Sequence, residues 1–252
     1  MPTGIYKRTK KHRDALKRGH KGIWSRHKHP NLGRKLPAEH SDMLNFINDK
    51  IANPPENVAD LPIEVPNCGR DDMAKMFKEL GYKTGVEIGV EGGLYSRVIC
   101  QENPGVRLYS IDSWKAYKNY RTYVTQEKID EYYEKAKERL APFDCLLIKG
   151  YSMNVIKEFK DGELDFVFID GNHEFEYVVQ DVAFWQKKVR SGGIVSGHDY
   201  IGRNKPTATH VIQALNTYTQ CHDVNPWFVL GRKEKREGEI RENSRSWMWI
   251  KP

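Results

Sequence analysis

Short apolar runs alternate with amphipathic segments between residues 70 and 219, and this alternation limits the possible folds more than any other feature. The runs have the length of buried strands, and the segments between them have the apolar spacing of helices. The predicted strands are residues 85–90, 107–112, 145–149, 165–170 and 193–197; the predicted helices are residues 70–81, 95–101, 129–140, 153–159, 176–189 and 209–219. Repeated strand–helix units form a parallel sheet covered by helices, joined by right-handed crossovers. The sequence therefore predicts an α/β fold.

The last part of the chain departs from this alternation. Residues 227–230 and 247–250 are two apolar runs, and a polar, charged segment without a helical pattern joins them. Two strands joined without a crossover helix pair antiparallel. We therefore expect the sheet to be mostly parallel, with an antiparallel strand near its end.

Charge divides the chain into an arm and a body. Residues 1–35 carry 12 Lys and Arg and one acid, a net charge of +11, whereas the other 217 residues carry a net −4. A segment with so few apolar residues cannot bury a core of its own. We predict a basic arm over residues 1–38, a short helix and a Pro-rich linker over residues 39–70, and the α/β domain over residues 71–252.

The four cysteines are widely spaced, and no two of them form a CxxC pair. This spacing argues against a zinc ribbon or a disulfide scaffold and favours the reduced thiols of a cytoplasmic protein. No apolar stretch reaches the ~18 residues of a membrane-spanning helix, so no membrane partner is expected. The N-terminal segment also lacks the apolar region of a signal peptide.

A glycine-rich turn follows the first predicted strand of the alternating region, at residues 86–93 (VEIGVEGG). Glycines let the backbone turn tightly and approach a ligand, and the next helix offers free N–H groups at its start. A dinucleotide fingerprint would need glycines at positions 89, 91 and 94, but positions 91 and 94 hold Glu and Leu. The turn thus disfavours NAD, and an ordinary strand–helix connection remains the alternative.

Polar residues also end the next two predicted strands. Asp112 lies 23 residues after Gly89, close to the spacing of ~20 at which an acid binds the ribose hydroxyls of a nucleoside. Alternatively, Asp112 caps a helix. Ser152 lies in the turn after the third strand, where this kind of fold contacts adenine, although a plain turn explains it equally well.

The densest group of polar residues follows the last two parallel strands. FIDGNH ends in His173 and contains Asp170, and SGHDY contains His198 and Asp199. Because adjacent parallel strands end at the same edge of a sheet, we expect two carboxylates and two imidazoles to meet there. Carboxylates held close repel one another unless a proton or a cation lies between them. Asp170, His198 and Asp199 are therefore candidate ligands of one divalent cation; alternatively, Asp170 caps a helix and His198 is simply hydrogen-bonded.

From about residue 72 onward, the chain resembles the class I S-adenosylmethionine-dependent methyltransferases, in the broad family that includes macrocin-type sugar O-methyltransferases and cephalosporin-hydroxylase-like proteins. The matching stretches are VEIGVEGG, YSID, FIDGNH with the following YVVQD, and RSGGIVSGHDY. The resemblance implies a Rossmann-like fold whose seven-stranded, mostly parallel sheet has an antiparallel last strand. It also implies S-adenosylmethionine as cofactor, bound by Glu87, Gly89, Glu91, Gly92, Gly93, Asp112, Ser152 and Asp170.

The resemblance assigns further roles to the acidic and imidazole group. In metal-dependent members, an Asp at the position of Asp170 and an acidic pair at positions 198 and 199 bind Mg²⁺, and a His at the position of His173 is the catalytic base. This sequence has His198 in place of the first acid of that pair. Mg²⁺ or Mn²⁺ is the cation that these residues would bind, with Asp170 and His173 as the catalytic residues.

The favoured function is therefore O-methylation of a hydroxyl on a small molecule or sugar. A nucleic-acid methyltransferase docked by the basic arm is the first alternative, although the sequence lacks the N/D-P-P-Y/F motif of amino methyltransferases and the Pro-Cys nucleophile of cytosine C5 enzymes. A non-catalytic DNA-binding protein that retains the fold is the second. The Tyr- and Lys-rich residues 113–140 are either a lid over the acceptor or a helix that covers the sheet edge.

The arm resembles the modular DNA-binding repeats associated with homing endonucleases, in one degenerate copy; a solvated tail is the alternative. Its cations lie singly or in pairs, a pattern that suits weak, non-specific phosphate contacts. We predict that nucleic-acid binding falls roughly 10³-fold from low to moderate salt if about six phosphates are neutralised. Filter binding by the full chain and by a variant that begins at Glu39 measures this. If the full chain shows no salt-dependent binding, the arm has no such role.

Overall fold

A computed structural model describes residues 62–116, 124–201, 210–232, 237, 240–241 and 243–252. The predicted basic arm, the predicted short helix and most of the predicted Pro-rich linker lie outside these residues. Within the described ranges, no helix is long and apolar enough to cross a membrane.

Eight strands and six α-helices make up the described chain. The strands are β1 (Ile63–Val65), β2 (Thr84–Ile88), β3 (Arg107–Asp112), β4 (Cys145–Lys149), β5 (Leu164–Ile169), β6 (Val189–Gly197), β7 (Trp227–Leu230) and β8 (Ser246–Ile250). The helices are α1 (Arg70–Glu79), α2 (Leu94–Glu102), α3 (Gln126–Leu140), α4 (Ser152–Val155), α5 (Phe175–Trp185) and α6 (Val211–Cys221). A short 3₁₀ helix, Ile156–Glu158, follows α4.

The strands form one sheet in the order β1-β7-β8-β6-β5-β2-β3-β4. The neighbouring strands from β6 to β4 pair in parallel, and β8 pairs antiparallel with both β6 and β7. The predicted α/β class and the antiparallel strand near the end are thus confirmed. The predicted number of seven strands was wrong, because the sheet has eight.

The additional strand is β1, which lies in a segment predicted as linker. It pairs in parallel with β7 at the sheet edge, with Ile63 opposite Phe228. Glu64 accepts hydrogen bonds of 2.6 Å from both Arg232 and Arg245. Three residues are too few for a periodic pattern, so this strand depends on partners far along the chain.

The predicted helix over residues 176–189 was too long at its end. The helix stops at Trp185, and Val189 instead begins β6, where it pairs with Leu164 of β5. Val189 is fully buried. A valine suits both a helix and a strand pattern at this point, so the alternation alone could not separate the two elements.

The central strands are buried on both faces, as parallel strands between two helical layers must be. On one face, Val86 and Val167 pack with α4, α5 and α6. On the other face, Phe166 and Phe168 pack with α1 and α2. Side chains along the strands are therefore used for packing, and the residues free to do chemistry are those at the strand ends.

Candidate active site

The carboxyl ends of four strands meet at one edge of the sheet. Ile88 of β2 lies opposite Ile111 of β3 and Ile169 of β5, and Ile169 lies opposite Gly197 of β6. The predicted site residues lie in the loops that follow these strands, with three exceptions: Glu87 lies within β2, Asp112 is the last residue of β3, and Ser152 follows β4. The parallel register thus brings the predicted loops together.

Two glycines of the turn after β2 are needed for close packing. Gly89 has φ of +87°, and a Cβ atom there would lie 2.0 Å from the backbone oxygen of Asp170. Gly93 has φ of +73° at the start of α2, and a Cβ atom there would lie 3.0 Å from Leu140. A side chain at position 89 would clash with the backbone, and at position 93 the left-handed backbone and the nearby Leu140 favour glycine. Contact between Gly89, Gly92 or Gly93 and a cofactor remains a prediction.

Asp112 holds this turn in place. Its Oδ2 accepts hydrogen bonds of 2.9 Å from the backbone N–H groups of Val90 and Glu91, and its Oδ1 accepts one of 2.8 Å from the N–H of Trp114. A carboxylate has about four acceptor positions. Three are used by the described residues, which leaves about one for a ribose hydroxyl. Asp112 was predicted as a ribose ligand, and the structure gives it a second role.

Two residues that the sequence analysis missed also hold the glycine turn, by donating hydrogen bonds to its carbonyl groups. Trp114 is 1% exposed, and its indole N–H donates to the carbonyl of Glu91 at 2.9 Å. Arg139 of α3 donates a hydrogen bond to the carbonyl of Gly92. The described part of the Tyr- and Lys-rich segment, residues 113–116 and 124–140, therefore contacts the glycine turn. Residues 117–123 lie outside the described residues, so the predicted lid stays a prediction.

Glu87 lies between the sheet and α2, where it is 2% exposed. Its Oε2 accepts a hydrogen bond from Ser96, whose hydroxyl also lies 2.7 Å from that of Ser110. Burial raises the pKa of Glu87 to about 8, although the hydrogen bond from Ser96 opposes this rise. At neutral pH the side chain is therefore mostly a neutral acid that supports the first turn of α2.

The predicted group of acids and imidazoles does come together. Nε2 of His173 lies 3.3 Å from Oδ1 of Asp170 and 3.0 Å from Oδ2 of Asp199. Nδ1 of His198 lies 3.6 Å from Oδ2 of Asp170 and 3.9 Å from Oδ1 of Asp199. Ligand-type atoms of Asp170, His173 and Asp199 lie within 4.8 Å of one another, which is close enough for one cation. The structure therefore adds His173 to the predicted set of Asp170, His198 and Asp199.

Charge is unevenly distributed within this group. Burial alone would lower the pKa of His173, but hydrogen bonds to Asp170 and Asp199 raise it to about 10. Burial would likewise raise the pKa of Asp199, but hydrogen bonds from His173 and Ser244 hold it below its usual range. In the structure, a protonated His173 thus supplies the positive charge between the two carboxylates. Asp170, His173 and Asp199 fit a divalent cation, because a cation bound by two carboxylates and an imidazole would supply the positive charge in place of that proton.

The segment that leads into β8 supports this group, and the sequence analysis did not anticipate it. Besides the hydrogen bond from Ser244 to Asp199, the indole N–H of Trp247 donates to the carbonyl of His198 at 3.1 Å. The backbone N–H of Tyr200 donates to the carbonyl of Arg245 at 2.8 Å. These contacts join residues about 45–49 positions apart, so no local pattern could reveal them.

Ser152 lies away from the group of acids and imidazoles, at the first turn of α4. Its hydroxyl donates to Oδ1 of Asp181 at 2.5 Å. Asp181 belongs to α5 and is 4% exposed; burial raises its pKa to about 6, against the opposing hydrogen bond from Ser152. The predicted contact of Ser152 with adenine is untested, but its side chain is held by a buried acid.

Comparison with known proteins agrees with this arrangement. Residues 86–200 match the model of a family described as a methyltransferase domain. A comparison with curated proteins finds none that matches the chain.

Several solved structures have a similar fold. The O-methyltransferase from Bacillus cereus in complex with S-adenosylhomocysteine is 13% identical, with a TM-score of 0.50 over 88% of this chain and 94% of that one. The O-methyltransferase TomG from Streptomyces achromogenes, in complex with S-adenosylmethionine, is 13% identical, with a TM-score of 0.52 over 86% and 100%. A candidate rRNA methylase from Clostridium thermocellum is 14% identical, with a TM-score of 0.50 over 72% and 92%. These similarities confirm the predicted Rossmann-like class I fold.

The pKa of Glu87 predicts how stability depends on pH. Because folding raises this pKa from 4.5 to about 8, the folded protein holds a proton that the unfolded chain releases in this range. Stability therefore falls as the pH rises through this window, by roughly 2–3 kcal/mol between about pH 6 and pH 8.5. The Glu87→Gln variant should lose less stability, since it has no titrating group there. Urea denaturation of both proteins at the two pH values measures the difference; an equal loss in both would show that Glu87 does not titrate between about pH 6 and pH 8.5.

Proposed function

We propose that the chain transfers the methyl group of S-adenosylmethionine to a hydroxyl of a small molecule or a sugar. In support, residues 86–200 match the model of a methyltransferase domain, and the fold resembles that of solved O-methyltransferases. The observation that carries this proposal is the convergence of Asp170, His173 and Asp199 beside the glycine turn held by Asp112. On this proposal, the nucleoside of the cofactor and the proton-accepting group would lie at the same sheet edge.

The cofactor would lie across the ends of β2, β3 and β4. The remaining acceptor position of Asp112 would accept a ribose hydroxyl, and Ser152 would meet the adenine. The glycine turn would surround the methionine end, together with Glu91 and Asp170. Glu87 would act indirectly, because its buried carboxyl group holds Ser96 at the start of α2.

His173 would be the catalytic base for the acceptor hydroxyl. Its Nε2 is occupied by the two carboxylates, so Nδ1 is the atom that would take the proton. The side chain is 30% exposed, so an acceptor can reach it. Because the sulfonium is already a good leaving group, most of the catalysis would come from holding the hydroxyl in line with the methyl group.

Asp170, Asp199 and His198 would bind one divalent cation, Mg²⁺ or Mn²⁺. Such a cation, when bound, would lower the pKa of the acceptor hydroxyl and take over the positive charge that a protonated His173 supplies in the structure. His173 would then begin the reaction neutral, as a base must.

The nucleic-acid methyltransferase remains an alternative that rests on the basic arm, which lies outside the described residues. The fold is shared with a candidate rRNA methylase, so it does not choose between acceptors. A non-catalytic role would leave the group of Asp170, His173 and Asp199 without a chemical use.

Cofactor binding is the first test of this proposal. In calorimetry, S-adenosylhomocysteine should bind and NADH should not compete with it. Asp112→Ala should weaken the binding of S-adenosylhomocysteine by ~1–3 kcal/mol, because a ribose hydrogen bond and two anchors of the glycine turn are lost. The neighbouring Ser113→Ala variant is the control and should bind as the unmodified chain does. Binding of NADH without binding of S-adenosylhomocysteine would contradict the methyltransferase assignment.

The hydroxyl acceptor is tested by turnover. Labelled S-adenosylmethionine is offered with a panel of sugars, phenols, amines and nucleic acids, and the linkage of the transferred label is determined. Transfer to hydroxyl oxygen supports the proposal. Transfer to nucleic acid alone, lost when residues before Glu39 are removed, would favour the alternative.

Metal binding gives a separate prediction. Calorimetric titration with Mn²⁺ should show one binding site. Asp170→Asn or Asp199→Asn should weaken the affinity for Mn²⁺ at least about tenfold, because a carboxylate ligand is lost. Asp161→Asn is a matched control, because Asp161 is exposed and pairs with Lys188 far from this edge. If all variants bind Mn²⁺ equally, the cation does not bind at Asp170 and Asp199, whereas the methyltransferase assignment is unaffected.

A further inference from the structure

The bond between Ser152 and Asp181 fixes the direction in which Ser152 can form hydrogen bonds. Oδ1 of Asp181 accepts from the Ser152 hydroxyl at 2.5 Å. A carboxylate carries no hydrogen to donate, whereas a hydroxyl has a single hydrogen and two lone pairs. The hydrogen of Ser152 is therefore committed to Asp181, and towards any third group Ser152 can act only as an acceptor.

Asp181 is well placed to hold this arrangement. It is 4% exposed and belongs to α5, which packs against α4. Its Oδ2 would lie 3.6 Å from a Cβ atom built on Gly171, so the carboxyl group reaches from the start of α4 to the loop after β5. Ser152 itself is only partly buried, so its lone pairs can meet a ligand while Asp181 cannot.

We propose that Asp181 is a positioning residue that makes Ser152 an acceptor-only contact and thereby selects a purine with a 6-amino group over one with a 6-oxo group. The inference rests on the proposed function, in which Ser152 meets the adenine of the cofactor, and it adds that the contact is with the group at the 6-position. The amino group of adenine donates hydrogen bonds and so matches the lone pairs of Ser152. The oxygen of hypoxanthine accepts hydrogen bonds, and it would face another acceptor.

The test compares two ligands that differ at this one position, S-adenosylhomocysteine and S-inosylhomocysteine. Calorimetry on the full chain at about pH 8, where Asp181 with its pKa of about 6 is ionised, gives the ratio of their dissociation constants. We expect the unmodified protein to prefer the amino form by about tenfold or more, the usual effect of one mismatched hydrogen bond. In Asp181→Ala, the hydroxyl hydrogen of Ser152 is no longer bound by Asp181. Ser152 can then donate it to the oxygen of hypoxanthine, so the ratio of dissociation constants should fall towards one. A general loss of stability would weaken both ligands alike and leave the ratio unchanged.

Ser152→Ala provides an independent variant, should Asp181→Ala fold poorly. It removes the contact itself, so its ratio should also fall towards one, and the double variant should show no further change. Thr219→Val is the control for loss of a buried hydroxyl, since Thr219 bonds within α6 to the carbonyl of Leu215. Its ratio should equal that of the unmodified chain.

The outcomes separate the two proposals. If S-adenosylhomocysteine binds but the ratio is the same in Asp181→Ala or Ser152→Ala as in the unmodified chain, the inference is refuted and the proposed function stands. If the unmodified chain binds neither ligand, the proposed function is refuted, and the inference falls with it.

Discussion

The close approach of β2 to β5 is the contact on which the candidate site depends. Gly89 leaves β2 with its Cα directly against the backbone oxygen of Asp170, with no room for a side chain. This contact brings the glycine turn beside the loop that contains Asp170 and His173. A larger residue at position 89 would push the two strand ends apart, and with them the proposed cofactor site and the proposed base.

Around this contact, most polar groups at the sheet edge bind to one another. Asp112 accepts three backbone N–H groups, Glu87 is paired with Ser96, and Asp170 and Asp199 share His173. A site built in this way is already ordered, so little conformational entropy is lost when a ligand binds. It also means that a substitution at one of these residues alters the shape of the site as well as one contact, which is why the proposed tests compare ligands or pair each variant with a control.

Much of the fold could be predicted from the sequence, because its strands and helices are marked by local apolar spacing and their ends by glycine and acidic residues. The positions of β3, β4 and β7 agree with the prediction residue for residue, and the strand ends that lead to Asp112, Asp170 and Asp199 do lie side by side. The features that the sequence did not predict depend on residues far apart in the chain. β1 is a strand because it pairs with β7, and the roles of Trp114, Arg139 and Ser244 depend on contacts with residues distant in sequence.

The position of β8 has a consequence for how the protein is made. β8 lies between β6 and β7, although both precede it in the chain. During synthesis, β7 therefore emerges before the strand that joins it to the sheet, and β1, which pairs with β7, must wait as well. Until residues 246–250 have appeared, β6 presents an open edge, and the loop with His198 and Asp199 lacks its support from Ser244 and Trp247. A ribosome-bound chain that ends before β8 would thus expose an unpaired sheet edge, a state in which chaperones have a surface to bind.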